Sequence, residues 1–254
     1  MRKVYTEAPT GVLTVLLLAL FLMNGASIYY DYQVIPNITK FISVLLFLTC
    51  YYTKQSHMAN VFLTFLIFMF LGDTFTVFNF GDLAGKLSKI LYMGAYSLLI
   101  FVLLGKFKRI KIEGLVLLYL ILIFVLNTYF LYALYGEVKD NFSDKINLVL
   151  YICHGSVLVA MAFLAFAVYL SKESTQSILF LVMVFCFVFA DVLEYICDLY
   201  VYFWVFDFIG TMLHFVSLGL FFRYVYNHHK IIKPKIKVAT EHNSLLNNPE
   251  RLTA

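Results

Sequence analysis

Charge is scarce in this chain. Only 13% of its 254 residues are Asp, Glu, Lys or Arg, against about 25% in a soluble domain, so an ordinary water-facing globular surface is excluded. No polar segment longer than the C-terminal tail interrupts the sequence, which argues against a separate soluble domain. Cysteine is sparse as well: Cys50, Cys153, Cys186 and Cys197 fall in or beside apolar stretches, and none has a C-x-x-C partner. That spacing indicates neither a zinc motif nor a disulfide framework, and small buried side chains are its plain reading. The net charge of +4 is spread unevenly and reports topology rather than a nucleic-acid surface. No cofactor, no metal and no nucleic-acid partner is expected.

Apolar residues are what the chain has, at 62%. A helix crossing a bilayer needs about 20 of them in succession. Eight stretches approach that length: Gly11–Tyr30, Thr39–Tyr52, Met58–Phe78, Leu87–Leu104, Gly114–Tyr135, Ile146–Leu170, Ser177–Tyr202 and Trp204–Tyr226. The second is short and could begin nearer Pro36, and the last two are joined so tightly that an antiparallel pair is expected. Arg2 and Lys3 before Val12–Met23 and Gly25-Ala26-Ser27 have the outline of a signal peptide; an uncleaved first helix is the favoured reading. The predicted fold is all-α, a polytopic membrane protein with eight transmembrane helices over residues 1–229 and a flexible basic tail over 230–254. Fourteen of the nineteen Lys and Arg residues, including Lys106, Lys108, Arg109 and Lys111 in one loop, fall on one side. The excess of positive charge on cytoplasmic loops then puts both termini in the cytoplasm. Such a chain is expected in a plasma membrane, the bacterial inner membrane, with membrane lipids as partners.

Ser177–Tyr202 carries Asp191, Glu194 and Asp198 at spacings that share one helical face. An ionised side chain deep in lipid costs on the order of 3 kcal/mol by insertion scales, so three of them need a common reason: a water-filled cleft, a bound cation or a reaction. At 1.5 Å per residue, Asn24, Asp73, Asn127 and Asp191 on the outward-running helices and Tyr96, His154 and His214 on the inward-running ones all fall between mid-bilayer and the outer face. The inner half has almost no comparable residue. Two carboxyls sharing an apolar, outward-opening pocket divide their protons unequally; one donates while the other accepts, as hydrolysis of an acid-labile ether or acetal requires. Asp73 and Asp191 are the candidate catalytic pair. Asn24, Tyr96, Asn127, His154, Glu194, Asp198 and His214 are the candidate substrate-binding set. A transporter, or an ion- or lipid-binding protein using the same acidic cleft, is the alternative. A zinc site from His154, His214, Asp73 and Asp191 is a further one, without a spacing motif behind it.

Gly72-Asp73 in the third span and Ala190-Asp191 in the seventh resemble the recurring marks of the YhhN-like lysoplasmalogenases, eight-helix membrane proteins of similar length. LFLVMVFCFVFADVLEYI is similar to that family's seventh helix and IGTMLHFVSLGLFF to its last. Ala190 stands where the family tends to have Ser, and Tyr96 and His214 stand near positions where it often has His and a Tyr/Gln pair. The resemblance implies hydrolysis of the vinyl-ether bond of a lysoplasmalogen. It also implies a lysophospholipid partner, with a fatty aldehyde and a glycerophospho-alcohol as products.

Overall fold

A chain bathed in lipid must satisfy its backbone amides within its own segments, and helices do this. The computed structural model describes residues 19–20, 22–27, 34–53, 60–78, 81–107, 114–139, 144–171, 174–199 and 203–246. All secondary structure among them is helical. A short segment at 22–27 is α1; then follow α2 (Val34–Thr53), α3 (Asn60–Phe78), α4 (Asp82–Phe107), α5 (Gly114–Val138), α6 (Lys145–Ser171), α7 (Thr175–Leu199) and α8 (Trp204–Leu246). Five stretches among the described residues are long and apolar enough to cross a membrane: Asn60–Phe78, Leu83–Lys106, Lys145–Ser171, Thr175–Leu199 and Trp204–Val225. Asn37–Thr49 and Leu117–Ala133 are apolar but shorter. The chain is thus an all-helical protein with the hallmarks of a membrane protein. The signal-like start of the first span, the basic loop at Lys108–Lys111 and residues 247–254 lie outside the described residues.

Helix starts differ from the sequence expectation where a cap sets them. Asp144 accepts from the Ile146 N–H at 3.0 Å, so α6 begins at Lys145. Ser174 and Ser177 exchange backbone-to-hydroxyl bonds, each at 3.1 Å, a reciprocal N-cap that starts α7 at Thr175. Pro36 sits in the first turn of α2, where its missing N–H is not needed, so the helix opens at Val34 rather than Thr39. Between α3 and α4 the chain turns at Gly81, whose φ of 88° suits only a residue without Cβ. The helical backbone of α8 continues past its apolar part to Leu246.

The helices form a ring: α2 packs on α3, α3 on α4, α4 on α6, α6 on α7, α7 on α8, and α8 back on α2. The most extensive of these contacts is α7 with α8, the tight pair expected from their short connection. Outside the ring, α5 rests on α6 alone among the substantial contacts. It is apolar all round, with Leu118, Leu122, Val125 and Tyr132 exposed, as a lipid-facing helix should be. The α1 segment reaches α8, where a Cβ on Gly25 would stand 3.2 Å from the Phe208 ring. One ion pair and one lysine contact fix directions. Lys86 at the start of α4 meets Asp144 at the start of α6, at 2.6 Å. Lys106 at the end of α4 donates to the Tyr224 hydroxyl of α8 and lies over the rings of Phe180 and Tyr224.

The interior of the ring is divided along its length. On each of the six helices the continuous buried core lies to one side of the polar residues: Val44 and Phe47 after Lys40, Phe62 to Met69 before Asp73, Leu99 and Leu103 after Tyr92. The same holds for Leu158 and Met161 after His154, Phe180 to Phe187 before Asp191, and Leu218 to Val225 after His214. Aromatic edge contacts lock this half, among them Phe62 with Phe221, Phe65 with Phe187 and Phe180 with Tyr224. We call it the apolar end; the other is the polar end.

Candidate active site

The polar end begins with the α3–α4 pair. Gly72 has no Cβ, and one built there would stand 3.0 Å from the Tyr92 ring. Its absence lets Tyr92 lie flat on α3 and donate its hydroxyl to Asp73 Oδ1. The backbone is tied at the same level: Ser88 Oγ donates to the Gly72 carbonyl at 2.9 Å and is 2.8 Å from the Thr76 hydroxyl. Asp73 is buried, and its Oδ2 has no hydrogen-bond partner among the described residues. A Gly-Asp dipeptide on α3 thus becomes a carboxylate held by a tyrosine from the facing helix.

Across the ring, α6 and α7 present a second group. Asp191 and Tyr195 are four residues apart and share a face of α7. His154 of α6 spans both: Nδ1 is 2.6 Å from the Tyr195 hydroxyl, and Nε2 is 3.4 Å from Asp191 Oδ2. The Tyr96 ring stacks at a tilt on the imidazole, 5.7 Å between centroids, and its hydroxyl neighbours the Asp191 carboxyl. One turn nearer the open end, Glu194 pairs with Lys40 of α2 at 3.1 Å. That pair joins two helices that are not adjacent in the ring. Lys40 is the smaller target for water, 14% exposed against 52% for Glu194, so a buried ammonium is carried by a half-wet carboxylate. Lys40 and Glu194 are the charges that act on both Asp73 and Asp191.

These groups surround a cavity of about 320 Å³. Its walls include Asn37 and Lys40 from α2, Thr76 from α3, Ser88, Lys89, Tyr92 and Tyr96 from α4, His154 from α6, Asp191 to Asp198 along α7, and His214 from α8. Residues near helix ends, Asn37, Gly85 and Asp198, mark its mouth, and the packed apolar end closes its floor. Seven residues carry buried polar side-chain atoms without a hydrogen-bond partner among the described residues: Asn24, Asp73, His154, Gln176, Asp191, Thr211 and His214. All except Gln176 belong to the polar end. An unpaired buried polar atom costs about 1–3 kcal/mol, so their concentration in one layer marks a region arranged to meet polar matter.

Of the residues singled out from sequence, Asp191, Tyr96, His154, Glu194, Asp198 and His214 line this cavity. Asp73 stands behind its wall, reached through Tyr92. Asn24 is fully buried on α1 and is not among the lining residues. Asn127 stands apart on the peripheral α5, where its Nδ2 donates to the carbonyl of Ile123 in its own helix at 2.8 Å. Sequence reasoning passed over Lys40, Tyr92, Tyr195 and Lys89. Tyr195 had a usable signal, its four-residue spacing from Asp191; Tyr92 was hidden among 19 tyrosines. Lys40, at the start of the second predicted span, reads from sequence only as one of the cations on its outer side.

Fold and site together define a class: a helical membrane protein with a blind, acid-lined pocket at one end of a six-helix ring. Among the described residues no group of three or more His, Cys, Asp or Glu side chains is placed to hold a metal ion. Comparison with protein-family models, curated proteins and solved structures finds no match to the chain.

Proposed function

We propose that the protein is an integral membrane hydrolase acting on the vinyl-ether bond of lysoplasmalogen-type lysophospholipids. In this reading eight spans cross a bacterial inner membrane, both termini are cytoplasmic, and the pocket opens toward the outer headgroups. The observation that carries it is a pocket rather than a path: carboxyls, histidines and tyrosines at one end of the ring, and a floor sealed by Phe, Met and Leu side chains at the other. A transporter, the alternative, needs polar groups through both halves.

The chemistry suits the groups present. A proton added to the vinyl carbon gives an oxocarbenium ion; water adds to it, returning a proton, and the hemiacetal falls apart to a fatty aldehyde and a glycerophospho-alcohol. Asp191 bounds the cavity and is the member of the candidate pair with direct access to a bound chain. Asp73 acts through Tyr92, whose phenol it orients at the cavity wall. Lys40 and Lys89 offer positive charge near the mouth for a phosphate, and the linkage of a lysolipid next to its glycerol then hangs into the pocket.

The test is aldehyde release from a lysoplasmalogen by purified protein, beside Asp73→Asn and Asp191→Asn. Turnover by the wild-type chain that is lost in Asp191→Asn and much reduced in Asp73→Asn supports the reading. No turnover by the wild type, or full turnover by both variants, ends it. A liposome flux assay separates the alternative, since a hydrolase moves no ion.

A further inference from the structure

His154 is placed between two hydroxyl-type partners that differ in depth. Tyr195 lies one helical turn nearer the mouth than Asp191, and the imidazole meets one with each ring nitrogen. The 2.6 Å contact at Nδ1 is a full hydrogen bond. The 3.4 Å contact at Nε2 is a few tenths of an ångström longer, as pairs that tighten on substrate binding often are. Among the described residues neither His154 Nε2 nor Asp191 Oδ2 has a hydrogen-bond partner, so each is available to the other. Tyr96 stacks at a tilt on the imidazole, and the Tyr195 ring meets Tyr151 edge-on at 4.7 Å. Glu194 and Lys89 are the next charges acting on the imidazole.

We propose that His154 and Tyr195 form a proton relay that reloads Asp191 from the mouth of the cavity, which makes Asp191 the proton donor of the site. A neutral imidazole carries one proton and has two tautomers, and the hydrogen bond at one nitrogen selects what the other can do. With Asp191 protonated, its O–H donates to Nε2, and Nδ1–H donates to the Tyr195 oxygen. Once Asp191 has given its proton to the substrate, the water that attacks the oxocarbenium ion passes its proton to Nε2 while the Nδ1 proton leaves through the Tyr195 oxygen to solvent, so that Nε2–H faces the carboxylate and Nδ1 accepts from the Tyr195 O–H. Transfer of the Nε2 proton to Asp191 and of the phenol proton to Nδ1, with Tyr195 taking a proton from water at the mouth, restores the first state. One proton enters and one reaches Asp191; no charge accumulates on the ring. One proton leaves through Tyr195 for each one that enters there, so the net reaction consumes none.

This relay rests on the hydrolase reading, and two measurements keep the two apart. The first is steady-state turnover of lysoplasmalogen by Tyr195→Phe, which keeps the ring and removes only the hydroxyl. Its kcat should fall on the order of ten- to a hundredfold, with KM within about twofold, and imidazole added to the medium should recover part of the loss. Wild-type kcat, or a loss that imidazole does not change, overturns the relay while leaving the hydrolase intact. The second needs no substrate: ring nitrogen NMR of the full chain with ¹⁵N-histidine in lipid nanodiscs, with the His154 signals identified by their loss in His154→Gln. Those signals should shift in both Asp191→Asn and Tyr195→Phe. Signals unmoved by both overturn the relay. Signals that respond in a protein with no vinyl-ether turnover leave the hydrogen-bonded chain standing and remove the hydrolase.

Discussion

The two ends of the ring are built from the same six helices and behave as different materials. At the apolar end, Phe47, Phe65, Met183, Phe221 and Tyr224 are almost wholly buried, and Phe62 with Phe221, Phe65 with Phe187 and Phe180 with Tyr224 meet edge to face. At the polar end, Asp73, His154 and His214 are buried too and Asp191 is largely covered, yet each leaves a polar atom without a hydrogen-bond partner among the described residues. Dispersion and close packing hold the first, as they hold helices together in lipid generally. The second holds unpaired groups that cost free energy, so the first must supply the stability that the second spends. A division of this kind separates stability from function along the bundle axis, and substitutions at the two ends should report on different properties.

The largest effect belongs to Asp191→Asn. It removes the only acidic proton proposed to reach substrate, and turnover should fall by on the order of a thousandfold while the thermal midpoint stays level or rises. Phe221→Ala, at the other end, is the mirror experiment. Truncating this buried ring, 4.7 Å from Phe65, should cost about 3 kcal/mol in stability, while turnover per folded molecule changes by less than about threefold. A large activity loss in Phe221→Ala at full stability would break the comparison.

Between these extremes, Lys40→Gln removes the buried partner of Glu194. A contact to a charged group is worth about 1.5 kcal/mol, so roughly a tenfold loss of turnover is expected, measured with the same aldehyde assay. Gly72→Ala places a methyl against the Tyr92 ring at 3.0 Å. The ring must shift, its bond to Asp73 weakens, and stability should drop by about 1 kcal/mol with a severalfold fall in kcat; leucine at the same position should be worse. The smallest effect lies outside the spans. The Lys86 ammonium, and after it the Ile146 N–H, hold the Asp144 carboxyl below its usual range. Stability from a carboxyl held low is present above its ordinary value of about 4 and is lost as pH falls through the lower folded value. Thermal midpoints of wild type and Asp144→Asn should therefore differ slightly at neutral pH and converge in strong acid.

Much of the scaffold could be read from the chain because lipid imposes a one-letter code: long apolar stretches are helices, and scarce charge is informative wherever it occurs. Asp73, Asp191, His154, Tyr96 and His214 stood out for that reason, and depth along each span brought them to one level. What depth does not give is azimuth. Asn127 lies at the expected level but on α5, outside the ring, because a uniformly apolar helix carries no stripe to show which way it faces. Asp73 and Tyr92 illustrate the opposite failure. Their pairing across two helices depends on a missing Cβ at Gly72, a contact between faces that no periodicity records. Lys40 reads from sequence only as a charge that reports topology, because its partner Glu194 comes from a helix far along the chain.

The central claim is that chemistry takes place in the polar end of the ring and nowhere else on the molecule. The most direct test is a structure of Asp191→Asn with a lysoplasmalogen bound. The vinyl-ether carbons should lie inside the cavity, within hydrogen-bond reach of residue 191 and close to Tyr92, with the headgroup toward Lys89. A lipid lodged instead along the exposed face of α5, with the cavity unoccupied by it, would contradict the account.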